Sequence, residues 1–156
     1  MGSYLRLISV AFGLAVALGI TLVAFREGGA RYQLVTIRGH VFTLEVAATP
    51  EQRSRGLRGR ESLEVDGGMI IRIRKPERLS FSNRNTPFPV DVLYLDSEGE
   101  VIGMDQLAAN DNRVPGSTSE EPVSGALLLR GGTASLLHIG RGYRFAFERG
   151  RTLNDE

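Results

Sequence analysis

Strict two-residue alternation recurs three times in this chain and constrains its fold more than any other feature. Phe42, Leu44 and Val46 alternate with Thr43 and Glu45, and Met69, Ile71 and Ile73 with Ile70, Arg72 and Arg74. Near the end, Tyr143, Phe145 and Phe147 alternate with Arg144, Ala146 and Glu148. Successive side chains of a strand point to opposite faces, so each segment predicts a half-buried antiparallel strand. Further strands are expected at residues 33–38, 79–82, 90–96, 100–104 and 124–130. Arg38-Gly39 and Asp96-Ser97-Glu98-Gly99 are placed as hairpin turns, with glycine available for positive φ. Two short helices interrupt the pattern. Thr49-Pro50-Glu51-Gln52 offers a capping Thr, a first-turn Pro and a Gln three residues after the cap, and that helix should stop near Gly56. The second is expected at residues 133–138, ended by Gly140. Residues 110–122 are rich in Pro, Gly and Ser and read as a surface loop. The expectation is a mainly β domain, an antiparallel β-sandwich or jelly-roll-like barrel with two short helices.

A different kind of segment precedes it. Residues 7–25 read LISVAFGLAVALGITLVAF, 19 residues without a charge between Arg6 and Arg26. A helix of that length rises roughly 28 Å, close to the ~30 Å hydrocarbon core of a bilayer. A cleaved signal is the alternative, but its apolar region is usually ~7–15 residues followed by a small-x-small site, and here the longer run ends Leu22-Val23-Ala24-Phe25-Arg26 with no good Ala-x-Ala. Residues 1–26 are therefore expected to be one N-terminal transmembrane helix, with residues 27–156 a single extracytoplasmic β-domain. The expected location is the inner membrane, single-pass, with the domain in the periplasm or outside. Secretion after signal cleavage is the alternative. Charges flanking the run are too few for the positive-inside rule to decide orientation; a short tail before a first apolar segment ordinarily stays inside.

Charge narrows the function classes. Removing Arg6 and Arg26 from the 19 basic residues leaves 17 against 18 acidic ones beyond residue 26, so nucleic-acid binding loses its usual electrostatic footprint. With no cysteine, a disulfide framework, a thiol nucleophile and a Cys-type zinc site are excluded. With only His40 and His138, a multi-His metal centre is excluded too. No metal and no cofactor is expected. There is no phosphate-cradling glycine loop and no Gly-x-Ser-x-Gly elbow.

Several motifs resemble one bacterial and archaeal family, domain of unknown function 192. They are Gly56-Leu57 with Arg60, Gly68-Met69, Phe81 followed by Asn85-Thr86-Pro87-Phe88-Pro89-Val90-Asp91, and Leu95-Asp96 with Gly99 and Val101. The family's closing pattern looks like Gly132, Ile139 and Gly142. The Asn-Thr-x-x-Pro-x-Asp stretch is the most specific part. The chain departs from the family pattern at Ser82-Asn83, where Trp-Met is usual, at Arg58, where Met is usual, and at Tyr143, where Asp is usual after the glycine. If that apolar pair lines a pocket, the pocket is more polar here. The resemblance implies a compact β-sandwich of jelly-roll type, often exported, and no assigned reaction.

Asp91 is the first candidate site residue. Its neighbours Val90, Val92, Leu93, Tyr94 and Leu95 are apolar on both faces, so the carboxylate is expected to be buried. A buried carboxylate must be paired or hydrogen-bonded. It is either an acid, base or ligand group, or a structural acceptor served by the 84–91 turn or by an arginine. Asn85 and Thr86 precede two prolines in a segment that must turn, where Asx- and Ser/Thr-turn bonding suits them. Arg60, Arg84 and Pro89 complete the candidate set. Charge is also uneven. Residues 53–78 hold Arg53, Arg55, Arg58, Arg60, Arg72, Arg74, Lys75 and Arg78 against Glu61, Glu64, Asp66 and Glu77, whereas 91–121 hold eight acids against Arg113. This reads as a basic face for anionic headgroups or an anionic partner, or as two solvated faces that offset each other.

Together these features predict a membrane-anchored extracytoplasmic module that binds an envelope ligand or protein partner without catalysis. The alternative is a hydrolase or lyase acting on envelope polymer, with Asp91 as acid or base and Arg60 or Arg84 holding an anion. The surroundings of Asp91 discriminate: an open pocket with a second carboxylate or His favours the enzyme, and burial with backbone donors favours structure.

Overall fold

The computed structural model of the protein describes residues 30–113 and 115–147. The apolar run at 7–25 lies outside the described residues. Among those described, no helix is long and apolar enough to cross a membrane.

The elements follow in the order β1 (Arg31–Ile37), β2 (His40–Ala47), α1 (Pro50–Arg55), β3 (Gly67–Glu77), β4 (Ser80–Phe81), β5 (Val90–Leu95), β6 (Val101–Leu107), β7 (Ser117–Thr118), β8 (Val123–Arg130) and α2 (Thr133–Leu136). Six strands form one sheet in the order β1-β2-β3-β8-β5-β6, and β4 pairs with β7 in a separate two-stranded ribbon. The expected mainly β class is present. The barrel is not: the sheet is open, with β1 and β6 at its edges.

Nor is the sheet wholly antiparallel. β2 and β3 run parallel, with Thr43 opposite Gly67 and Ala47 opposite Ile71. A parallel pair needs a crossover connection, and residues 48–66, carrying α1, supply it. Alternation at 42–46 and 69–74 reports which faces are buried, not strand direction. α1 begins as its sequence dictates: Gln52 N–H donates to Thr49 Oγ1 at 3.2 Å, and Thr49 N–H donates to Gln52 Oε1 at 3.0 Å. It ends at Gly56, whose φ of +54° favours glycine.

Both faces of the sheet are covered, each by its own apolar cluster. Leu44, Ile70, Leu93 and Leu127 pack under Ala134, Ile139 and Phe145 on one side. Met69, Val92, Ala126 and Leu128 pack under Leu57, Leu63 and Phe88 on the other. That is why all six residues of β5 are buried. The middle of the sheet is tight: a Cβ on Gly125 would stand 2.4 Å from the Ile71 carbonyl oxygen.

Three local expectations are corrected. The 143–148 segment is not a strand of the sheet; its one bridge joins Arg144 to Glu100, and Glu148 lies outside the described residues. Tyr143 and Phe145 instead strap the sheet through backbone bonds to Val101 and Gly99. The 110–122 loop contains β7, which pairs antiparallel with β4, Ser80 opposite Thr118 and Phe81 opposite Ser117. α2 stops at Leu136, two residues early, and His138 takes a φ of +50°.

Candidate functional site

The 83–91 segment folds over as one unit, but not by the side-chain turns expected of it. Asn85 adopts a φ of +58°, a left-handed conformation that Asn tolerates better than most residues. Its carbonyl accepts from Gly59 N–H at 3.0 Å, and that of Thr86 accepts from Asn110 N–H at 2.8 Å. The Thr86 hydroxyl is fully buried and has no hydrogen-bond partner; nothing in the structure explains it. Pro89 lies exposed, and its carbonyl accepts from Gly131 N–H at 2.7 Å. The two residues touch so closely that a Cβ on Gly131 would fall 2.5 Å from Pro89 Cβ.

Asp91 is 3% exposed. Its Oδ1 accepts from Gln106 Nε2 at 2.8 Å and Gly132 N–H at 3.0 Å, and its Oδ2 accepts from Ala134 N–H at 2.8 Å. The donors therefore come from β6 and from the first turn of α2, not from the 84–91 turn and not from an arginine. α2 has no side-chain cap of its own, and Asp91 serves as one from across the sheet.

The two candidate arginines are elsewhere. Arg60 contacts Glu45 Oε2 in an ion pair with a buried partner. Arg84 is exposed and reaches only the Asn112 carbonyl, at 3.5 Å. Neither approaches Asp91 by a hydrogen bond, so the pair needed for acid–base work beside a held anion is not assembled.

Asn83, named in the sequence only as a departure from the family pattern, matters more to the architecture. It is 3% exposed, and its Nδ2 donates to the Phe88 carbonyl at 2.9 Å and the Ala108 carbonyl at 2.7 Å. One amide thus ties the 83–91 unit to the segment after β6. Beside it opens a recess of about 270 Å³ between the end of α1 and β4. Leu57, Phe81, Val90 and Leu128 form apolar walls, and Ser82 and Arg58 stand at the polar side. Arg53, Arg55 and Arg58 line it as well, and none makes an ion pair among the described residues. Arg58 donates only to the carbonyls of Ser54 and Arg55. Three of the departures from the family pattern, Arg58, Ser82 and Asn83, meet at this recess, and the fourth, Tyr143, lies in the closing strap.

A second recess of about 310 Å³ is lined by Tyr94, Ile102, Asp105, Ser117 and Arg141 among others. Tyr94 and Ser117 share a 2.6 Å hydrogen bond there. Burial pushes the Tyr94 phenol above its ordinary range, with the Ser117 bond opposing. That direction disfavours a phenolate base at neutral pH. Among the described residues, no group of three His, Cys, Asp or Glu side chains could hold a metal ion.

A family model described as DUF192, Uncharacterized ACR, matches residues 33–147. The chain belongs to the DUF192 family. The match spans the sheet from Gln33 of β1 onward, the 83–91 unit and the closing strap. A crystal structure from Sinorhizobium meliloti, described as a candidate transcription regulator, is 31% identical with a TM-score of 0.61, covering 76% of this chain and 92% of that one. A protein of unknown function from Novosphingobium aromaticivorans is 28% identical with a TM-score of 0.64, covering 75% and 84%. No curated protein matches. The aligned region makes up 92% of the S. meliloti chain, so in that relative the domain folds with little else attached.

Proposed function

We propose that this DUF192 protein is a membrane-tethered, extracytoplasmic binding module without catalytic activity. The observation that carries the binding reading is the recess beside Asn83. Apolar walls with three unpaired guanidiniums at one side suit a small molecule with an anionic head and a short apolar body. Against the hydrolase or lyase alternative stands Asp91, whose two carboxylate oxygens are occupied by three donors. The tether is supported by the 19 uncharged residues at 7–25. A transcription-regulator role, the description carried by the S. meliloti relative, finds little support in the described residues, where the longest helix has 6 residues, too short for a groove-reading helix.

Titration of the 27–156 form with hexanoate, followed by two-dimensional NMR, tests the recess. The expected result is millimolar binding with shifts concentrated at Leu57, Phe81, Ser82 and Asn83. Hexanol should bind more weakly, having lost the charge. Absence of shifts at those residues, or equal binding of the alcohol, would contradict the reading.

A further inference from the structure

A strongly basic groove lies at the end of the sheet where β1 begins. Arg31 stands opposite Val46, and Val46 opposite Ile70. The link to β3 is also direct, because Arg72 Nη2 donates to Gln33 Oε1 at 3.0 Å. Just beyond Arg72 the β3–β8 ladder breaks: Arg72 pairs with Gly125 and Glu77 with Val123. Four residues of β3, Ile73, Arg74, Lys75 and Pro76, therefore stand opposite Ser124 alone. A bulge of this kind re-aims side chains away from the ladder, and Arg74 and Lys75 are left exposed. With Arg53 and Arg72 they line one groove in which the only acid is Glu77. None of the four makes an ion pair among the described residues.

Chain length gives this groove a setting. The uncharged run ends at Phe25 and β1 begins at Arg31, so five residues separate them. Fully extended, such a link reaches roughly 20 Å. A surface charge acts over a Debye length of ~8–10 Å at physiological salt. The link limits Arg31 to about 20 Å from any surface that a tether at 7–25 would supply, and docking has to close the rest of the distance to within a Debye length; the acids of 91–121 are carried by other strands and loops.

We infer that the groove formed by Arg53, Arg72, Arg74 and Lys75 docks onto an anionic lipid surface, an assignment that takes its setting from the tethered reading above. Each cation close to such a surface strengthens binding about fivefold. The bulge is then the device that presents Arg74 and Lys75 together. Arg72, beside Gln33 and over the Phe147 ring, is the fixed member of the set.

The test uses the 27–156 form, which lacks the apolar run, so its outcome does not depend on whether that run is a tether. Co-sedimentation is measured with vesicles of phosphatidylcholine alone and of phosphatidylcholine with phosphatidylglycerol. The domain should pellet only with the anionic vesicles, and less as salt rises. Arg74→Gln with Lys75→Gln should weaken partitioning about 25-fold without moving the thermal midpoint, since both side chains are exposed and neither makes an ion pair among the described residues. Arg141→Gln, at the other recess, should leave partitioning within about twofold. Equal binding to both vesicles, no binding, or equal loss in the Arg141 variant would overturn the assignment. Retention of duplex DNA with no vesicle binding would also overturn it and give the face to nucleic acid.

Discussion

A buried carboxyl group needs its lone pairs filled by donors that have no better partner, and the donors around Asp91 meet that need. The N–H groups of Gly132 and Ala134 belong to the first turn of a four-residue helix, where no intrahelical acceptor exists for them. Asp91→Ala would leave both without an acceptor in a site that excludes water, at a cost of ~1–3 kcal/mol for each stranded donor. In urea unfolding of the 27–156 form, Asp91→Ala should lose roughly 3–5 kcal/mol and Asp91→Asn roughly 1–2 kcal/mol, because the amide keeps one acceptor oxygen. An unchanged midpoint for Asp91→Ala would refute the structural role and reopen the catalytic one. The need for donors was legible from five apolar neighbours around one carboxylate. Their source was not, because Gly132 and Ala134 lie 41 and 43 residues further along the chain. The turn at Asn85 was legible as a turn. Its mechanism, a left-handed backbone in place of an Asx bond, depends on Gly59 and Asn110 arriving from other segments.

At the level of elements, local signals were read well and pairing was not. The capping box of α1 appears residue for residue, since a cap is settled within four positions. The parallel β2–β3 pair was missed although its signal was present: two alternating segments separated by a capped helix and a connection too long for a hairpin. β7 was missed because a two-residue strand carries no period. Asn83 gave no periodic signal at all, being one polar residue in a loop, yet it joins the 83–91 unit to the segment after β6. Replacing it with Leu strands the Phe88 and Ala108 carbonyls and should cost roughly 2–4 kcal/mol by urea unfolding. Ser82→Ala, which lines the recess without such a clamp, should stay within roughly 0.5 kcal/mol. Equal effects from the two substitutions would mean that Asn83 does not hold the unit together.

At the scale of the whole molecule, the distribution of charge matters more than its sum. The excess of cations in 53–78 over those in 91–121 was visible in the sequence, but their gathering at the β1 end required the bulge in β3 and the crossover through α1. Mean composition hides this, because the domain's 17 basic and 18 acidic residues nearly cancel. A small recess with a cationic side, a basic end and an uncharged run of bilayer length all fit a module working at a membrane outside the cytoplasm. The measurement that tests this most directly is protease treatment of intact spheroplasts carrying the full chain, followed by sedimentation of the membranes. Tethering outside the cytoplasm predicts that the 27–156 domain is digested while a cytoplasmic marker survives, and that without protease the full chain pellets with carbonate-washed membranes. A domain protected in intact spheroplasts, or a full chain released by carbonate, would contradict the account.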